Sequence, residues 1–187
     1  MNHLFTYLQT ITDLSEESRK IFSATLTFLE IKKGGYLLQA DEVCPAIFFI
    51  VTGYYRSFYL NDGEEKNTNF YFENSFATNV KSLTQNTKSD YFIQAEEQSS
   101  VIRLDKTKLL EAYKQSHEIE RLGRKLLELI LMNQEEHANL FKLFTPQQRY
   151  VYLQRTQPEL FNRVSLTQIA SYIGISRETL SRIRGRK

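Results

Sequence analysis

The clearest recognition chemistry in the sequence belongs to Arg177, Glu178 and Arg182, which fall within six consecutive residues. A guanidinium group can donate two parallel hydrogen bonds to the edge of a guanine, and a carboxylate can accept one from the amino group of a cytosine. If a helix begins at this point, these side chains and that of Ser181 project from its first two turns. We therefore predict that Arg177, Glu178, Ser181 and Arg182 read base edges in DNA.

Helix-capping signals surround these residues and predict the elements that position them. The segments Thr145–Gln148 and Ser165–Gln168 each place a hydroxyl three residues before a glutamine, which is a capping box. Gly174 supplies the positive φ of a tight turn, and Ser176 caps a following helix whose inner face includes Leu180. This pattern predicts a helix-turn-helix, whose second helix enters the major groove. We expect phosphate contacts from Thr167, Gln168, Ser176, Thr179 and Arg184.

The charge of the chain is distributed unevenly. Residues 141–187 carry nine Lys or Arg against two Glu, a net charge of +7, whereas the rest carries 15 basic and 20 acidic side chains, a net charge of −5. Neutralisation of phosphates supplies much of the affinity of proteins for nucleic acid. The asymmetry favours a polyanion-binding module joined to a module that does not bind polyanions.

A region rich in aromatic and β-branched residues precedes these helices and predicts a β domain. Turn residues interrupt it at Gly34–Gly35, Thr52–Gly53 and Asn61–Gly63. A short helix is expected ahead of it, from Ser15 to about Leu26. The predicted strands are 46–51, 54–60, 67–72, 91–95 and 100–104, which are spaced closely enough for a sandwich or small barrel.

From about Lys106 the pattern becomes helical for some thirty residues and predicts helix pairing. Apolar side chains recur at alternating spacings of three and four, which is the seam of a coiled coil. The predicted dimer seam consists of Ile119, Leu122, Leu126, Leu129 and Asn133. A second stripe, formed by Leu127, Ile130 and Leu131, is expected to pack on the chain's own domains. The alternative is a single buried helix in a monomer.

The run from Gly174 to Ile183, Gly-Ile-Ser-Arg-Glu-Thr-Leu-Ser-Arg-Ile, resembles the reader of the cyclic AMP receptor and fumarate–nitrate regulator (Crp/Fnr) family of bacterial transcription factors. The segments 34–38 and 46–54 are similar to the first sensor strands of that family. The resemblance implies an α+β fold with a jelly-roll (double-stranded β-helix) sensor-like domain in 1–105, a dimerisation helix in 106–140 and a helix-turn-helix domain in 141–187. It also implies a homodimer on a near-palindromic operator.

The motif that binds cyclic nucleotides in this family is missing from the sequence. Members that bind them carry a Gly-Glu pair and an Arg followed by a small residue, whereas the corresponding segments here are 71–76 and 87–91, without either feature. Lys88 in the second segment cannot replace an arginine, whose guanidinium group donates two parallel hydrogen bonds to a phosphate. We expect an effector other than a cyclic nucleotide, if there is one. Its possible pocket residues are Glu73, Asn74, Lys88 and Ser89.

Rival functions find little support in the residue types present. A metal-dependent jelly-roll enzyme needs clustered ligands, but the histidines are His3, His117 and His137, and Cys44 is the one cysteine. We therefore expect no catalytic residue, metal or cofactor. The alternatives left open are a small-molecule-binding jelly roll of cupin type and an interaction module that does not read DNA. We expect a cytoplasmic protein that does not contact membranes and, if it is an activator, contacts RNA polymerase.

Overall fold

The structure is a computed structural model that describes residues 2–185. Met1 lies outside the described residues, as do Arg186 and Lys187 at the end of the predicted range 141–187. The chain forms two compact units, a first unit of residues 2–57 and 71–130 and a second unit of residues 58–70 and 131–185. The unit boundary therefore differs from the predicted domain ranges, because residues 58–70 group with the C-terminal helices. The three predicted ranges remain a prediction of functional regions.

The elements follow one another in an α+β order. They are α1 (Asn2–Gln9), α2 (Glu16–Ser23), β1 (Leu26–Ile31), β2 (Tyr36–Leu38), β3 (Ala46–Thr52), β4 (Tyr55–Asn61), β5 (Glu64–Tyr71), β6 (Phe76–Ala77), α3 (Val80–Gln85), β7 (Phe92–Ala95), β8 (Ser99–Asp105), α4 (Lys106–Gln115), α5 (His117–Leu143), α6 (Pro146–Thr156), α7 (Pro158–Arg163), α8 (Leu166–Ile173) and α9 (Arg177–Gly185). The strands β4 and β5 and the helix α5 each cross from one unit into the other.

Two four-stranded sheets form the β domain and confirm the predicted jelly-roll architecture. Their strand orders are β1-β8-β3-β6 and β2-β7-β4-β5. The central pair is antiparallel, with Ile47 opposite Leu104 and Phe49 opposite Ile102. Side chains such as Phe49, Ile50 and Ile102 are fully buried. The run of apolar residues in β3 is explained by burial on both faces, since consecutive side chains of a strand point to opposite sides and those of residues 46–50 are all buried.

The structure adds elements within the region that the sequence predicts as all β. Residues 80–85 form α3, whose first turn is capped by Asn79, since the Ser82 N–H donates to the Asn79 side chain at 3.1 Å. Near the N-terminus, Ser15 caps α2 as predicted, but that helix ends at Ser23 and Leu26 already belongs to β1. The capping signal was local and correct, whereas the end of the helix depended on strand pairing with β8.

The helix predicted from Lys106 to residue 140 is interrupted at Ser116, where the extended backbone separates α4 from α5. The two helices approach closely at Gly123. A Cβ atom there would lie 2.0 Å from the hydroxyl of Tyr113. Burial raises the pKa of Tyr113 to about 12. Gly123 therefore allows Tyr113 of α4 to pack directly against the backbone of α5.

Candidate DNA-reading site

The helices α8 and α9 are joined by the tight turn that the sequence predicts at Gly174. This glycine has φ +80°, and its N–H donates to the Ala170 carbonyl at 3.0 Å. The N–H of Ile175 donates to the same carbonyl at 3.0 Å. Ser165 and Gln168 form the predicted capping box at the start of α8. These bonds fix where α8 ends and how α9 leaves the turn.

Buried apolar side chains hold the two helices together while the outer face of α9 stays exposed. Ile169, Ile173 and Leu180 are fully buried. The four predicted base readers, Arg177, Glu178, Ser181 and Arg182, are all exposed on α9. The sequence pattern therefore separates an inner apolar face from an outer face that can donate and accept hydrogen bonds.

Hydrogen bonds at the start of α9 orient its reading side chains. The Ser176 hydroxyl accepts from the Thr179 N–H at 3.2 Å, as expected of a helix cap. The Arg182 guanidinium donates to the Thr179 hydroxyl at 3.2 Å. The Glu178 backbone N–H and the Ser176 hydroxyl hold the pKa of the Glu178 carboxyl below its ordinary value, and Arg177 and Arg182 lower it further. Glu178 thus stays ionised as a hydrogen-bond acceptor.

The five predicted phosphate-contacting residues fall into two groups. Thr167 and Arg184 are exposed. The side chains of Gln168, Ser176 and Thr179 take part in the helix caps, with the Gln168 amide oxygen accepting from the Ser165 hydroxyl at 3.0 Å. Their predicted contacts with phosphate remain predictions.

Arg149 on α6 is a positioning residue that the sequence analysis missed. Its guanidinium donates to the carbonyl of Ile173 at 2.9 Å, to that of Phe141 at 3.1 Å and to that of Phe144 at 3.0 Å. It also lies 4.6 Å from the centroid of the Phe141 ring. A cation is stabilised at the C-terminal end of a helix, and Arg149 serves two such ends, those of α5 and α8. It therefore ties the helix before the turn to the long helix.

The four residues predicted to line an effector pocket mostly have structural contacts of their own. Glu73 accepts the N–H of Gly53 at 2.8 Å, and Asn74 adopts a left-handed turn conformation with φ +64°. The buried Ser89 hydroxyl accepts from the Asn79 amide at 3.0 Å and donates to the Tyr91 carbonyl. Lys88 is exposed and lies 4.0 Å from an oxygen of the Asp41 carboxylate. The pocket itself remains a prediction.

The predicted dimer seam requires a correction. Ile119, Leu122 and Leu126 are fully buried and belong to the hydrophobic core of the first unit, so they are not available to a second helix. Leu129 is half-buried and Asn133 is exposed. The stripe that was expected to pack internally is the more exposed one, since Leu127 is 40% and Leu131 65% exposed. The spacing identified two apolar faces correctly, but the face predicted as the seam lies mostly in the chain's own core and the other face is the more exposed one.

Comparison with known proteins identifies the fold. Residues 28–116 match the family model of the cyclic nucleotide-binding domain. FixK2 from Bradyrhizobium japonicum superposes with a TM-score of 0.69 at 21% identity, covering 86% of this chain and 83% of that one. A putative Crp/Fnr transcriptional regulator from Eubacterium rectale gives 0.70 at 16% identity, covering 97% and 87%. This chain has the Crp/Fnr fold.

The catabolite activator protein of Thermus thermophilus shares the Crp/Fnr fold as well, with a TM-score of 0.58 at 16% identity, covering 96% of this chain and 85% of that one. No curated protein matches the chain by sequence. The resemblance to the Crp/Fnr fold that was read from the sequence is thus confirmed over nearly all of the chain. Within residues 2–185, no helix is both long enough and apolar enough to cross a membrane.

Proposed function

We propose that this chain is a sequence-specific DNA-binding transcription regulator of the Crp/Fnr type. The observation that carries the proposal is the exposed outer face of α9, where Arg177, Glu178 and Arg182 project from the first two turns. In a helix-turn-helix, these are the positions that reach base edges in the major groove. Their donor and acceptor groups fit guanine and cytosine edges.

The electrostatics of the C-terminal region support the same function. The net charge of +7 in residues 141–187 suits a partner with a phosphate backbone. Thr167 at the start of α8 and Arg184 on α9 are exposed at the two ends of the helix pair, where we propose that they contact phosphates. Such contacts position the protein, while α9 supplies the specificity.

The exposed stripe on α5 supports a homodimer. Leu127 and Leu131 are one helical turn apart on the same face, and Ile130 beside them is half-buried. Pairing of two α5 helices along this stripe would cover it and relate the two α9 helices by a two-fold axis. Two readers related in this way would bind half-sites about 34 Å apart on a near-palindromic operator.

A charged substitution in the stripe tests the dimer. Leu131→Asp places a carboxylate at a 65% exposed position, where the fold of the monomer tolerates it. Leu110→Asp on α4, at a position that is 48% exposed, is the matched control. Light scattering should show a monomer for Leu131→Asp and a dimer for the control. A dimeric Leu131→Asp variant would place the interface elsewhere.

The effector that we propose for the β domain is not a cyclic nucleotide. The Glu73 carboxylate is occupied by Gly53, and Lys88 lies beside the carboxylate of Asp41 rather than alone. The short helix α3 is capped by Asn79. Saturating cyclic AMP or cyclic GMP should therefore leave the unfolding temperature unchanged. A ligand at a hundred times its Kd would stabilise the protein by about 2.7 kcal/mol, so a clear rise would contradict this proposal.

Selection of DNA from a randomised duplex library tests the function as a whole. The purified protein is incubated with the library without effector at two salt concentrations, and retained sequences are determined. Enrichment of a palindrome is the expected result, with binding that weakens steeply as salt rises. The selection is repeated with a panel of small metabolites. If the protein retains DNA but enriches no sequence at either salt concentration, with or without the metabolites, sequence-specific reading is contradicted.

A further inference from the structure

The hairpin formed by β4 and β5 is hydrogen-bonded to α8 through the Ser171 hydroxyl and through the Asn67 side-chain amide, which donates to the Gln168 carbonyl at 3.5 Å. Ser171 accepts the backbone N–H of Asn67 at 3.0 Å and donates to the backbone carbonyl of Glu65 at 3.1 Å. The two groups lie on one edge of β5, at alternate residues, as the ladder groups offered to a neighbouring strand do. Ser171 therefore takes the place of a strand partner, and its hydroxyl links the hairpin to the helix before the turn.

Aromatic contacts extend this attachment on both sides of α8. The ring of Tyr172 meets the ring of Phe70 edge to face, with centroids 5.3 Å apart, and stacks on His137 of α5 at 5.2 Å. Tyr172 and Phe70 are both buried. The helix α8 is thus held between the hairpin and the end of the long helix.

The tip of the hairpin carries charge of the wrong sign for DNA. Asp62, Glu64 and Glu65 supply three carboxylates against the single ammonium of Lys66, and all four side chains are exposed. Glu65 itself is bonded to Ser171, which lies one helical turn after Gln168, near the proposed phosphate contacts of α8. Carboxylates held near a phosphate backbone oppose its approach, because like charges repel.

We propose that the β4–β5 hairpin is a latch that lowers the DNA affinity of the reader while it is docked on α8. This inference rests on the proposed function. The strand β4 starts at Tyr55, which is fully buried in the core of the first unit, and runs on into the hairpin. DNA binds preferentially to the molecule with the latch released. The exposed face of α9 then meets DNA without the carboxylates that the docked hairpin holds near α8.

The expected size of the effect follows from the population of the released state. The apparent dissociation constant equals the intrinsic one divided by the released fraction. Loss of the two hydrogen bonds of Ser171 raises that fraction by about tenfold, given the usual net strength of such bonds. The repulsion is electrostatic, so the gain should shrink as salt is added.

The substitution Ser171→Ala removes both hydrogen bonds and favours helix, because alanine has the highest helix propensity. Thr156→Ala is the matched control, since it removes an exposed hydroxyl that donates to the Tyr152 carbonyl within α6. We expect Ser171→Ala to bind the selected operator about tenfold more tightly than the wild type at low salt. The amide of Asn67 should exchange with solvent faster in this variant, whereas Thr156→Ala should match the wild type in both respects.

A second variant keeps the test decisive if Ser171→Ala misfolds. Glu64→Gln with Glu65→Gln leaves the backbone bonds of the latch in place and should tighten binding at low salt, with little gain at high salt. Unchanged or weaker DNA binding by a folded Ser171→Ala variant and by the Glu64→Gln/Glu65→Gln variant would overturn the latch while leaving the proposed function standing. Absence of sequence-specific binding in the wild type and in every variant would overturn both.

Discussion

The β domain and the C-terminal helices use arginine in opposite ways. Arg56 of β4 is only 5% exposed, its guanidinium pairs with the carboxylate of Glu96, and it donates to the Gln94 amide at 3.0 Å. Arg177 and Arg182 of α9 are exposed. A buried arginine must be paired within the protein, whereas an exposed one keeps its donors for a partner. The comparison shows where the chain uses charge for its own fold and where it offers charge for recognition.

The largest effect should come from unpairing the buried arginine. Glu96→Gln keeps the shape of the side chain but removes the negative charge that pairs with the buried Arg56 guanidinium. We expect the free energy of unfolding to fall by about 3 to 5 kcal/mol. Denaturant unfolding measures this loss of free energy. The exposed control, Arg182→Ala, should change the free energy of unfolding by less than about 0.5 kcal/mol. Equal losses of unfolding free energy in the two variants would contradict the contrast between the buried and the exposed arginine.

Helical glycines of the two regions provide a second contrast. A Cβ at Gly123 would lie 2.0 Å from the Tyr113 hydroxyl, whereas one at Gly185 of α9 would meet nothing within 4 Å. Gly123→Ala should therefore lower the free energy of unfolding by about 1 to 3 kcal/mol through overpacking. Gly185→Ala should leave it unchanged or raise it by up to about 1 kcal/mol. Thermal unfolding of both variants measures these changes. A Gly123→Ala variant as stable as the wild type would show that Tyr113 moves aside without cost.

The smallest effect concerns the pH dependence of the second unit. Burial lowers the pKa of His137 from its ordinary value of 6.5, so the unfolded chain takes up this proton at a higher pH than the folded one. Stability is therefore intact above about pH 6.5 and falls as the pH drops through and below that value. His137→Phe keeps a ring against Tyr172 and should lessen the loss between pH 7.5 and pH 5. An identical pH profile for the two proteins would exclude His137 as a contributor.

Local signals in the sequence predicted the C-terminal helices well. The capping boxes at Thr145 and Ser165 and the turn at Gly174 are all present in the structure. Each depends on hydrogen bonds among residues five or fewer positions apart, so a single stretch of sequence contains the whole signal. The central strands of the β domain were also recognisable, because β3 is a nearly continuous apolar run and β8 carries Val101, Ile102 and Leu104.

Features that depend on distant residues could not be predicted in the same way. The periodicity of α5 marks two apolar faces, but only the folded chain shows that Ile119 and Leu122 lie in its own core while Leu131 faces outward. The three carbonyls bound by Arg149 come from the ends of two helices, α5 and α8, and Ser171 meets a hairpin about a hundred residues earlier in the chain. Asn79 was an available capping signal for α3, yet its six residues are too few to show a helical period.

The central claim is that α9 reads bases while Thr167 and Arg184 only anchor the protein to phosphates. The most direct measurement titrates wild type, Arg182→Ala and Arg184→Ala against the selected operator and its single-base-pair variants at one fixed salt concentration. Arg182→Ala should lose about 1 to 3 kcal/mol of binding free energy and its preference at one base pair of each half-site. Arg184→Ala should weaken binding to all sequences alike. A uniform loss in Arg182→Ala, with base preferences unchanged, would contradict the account.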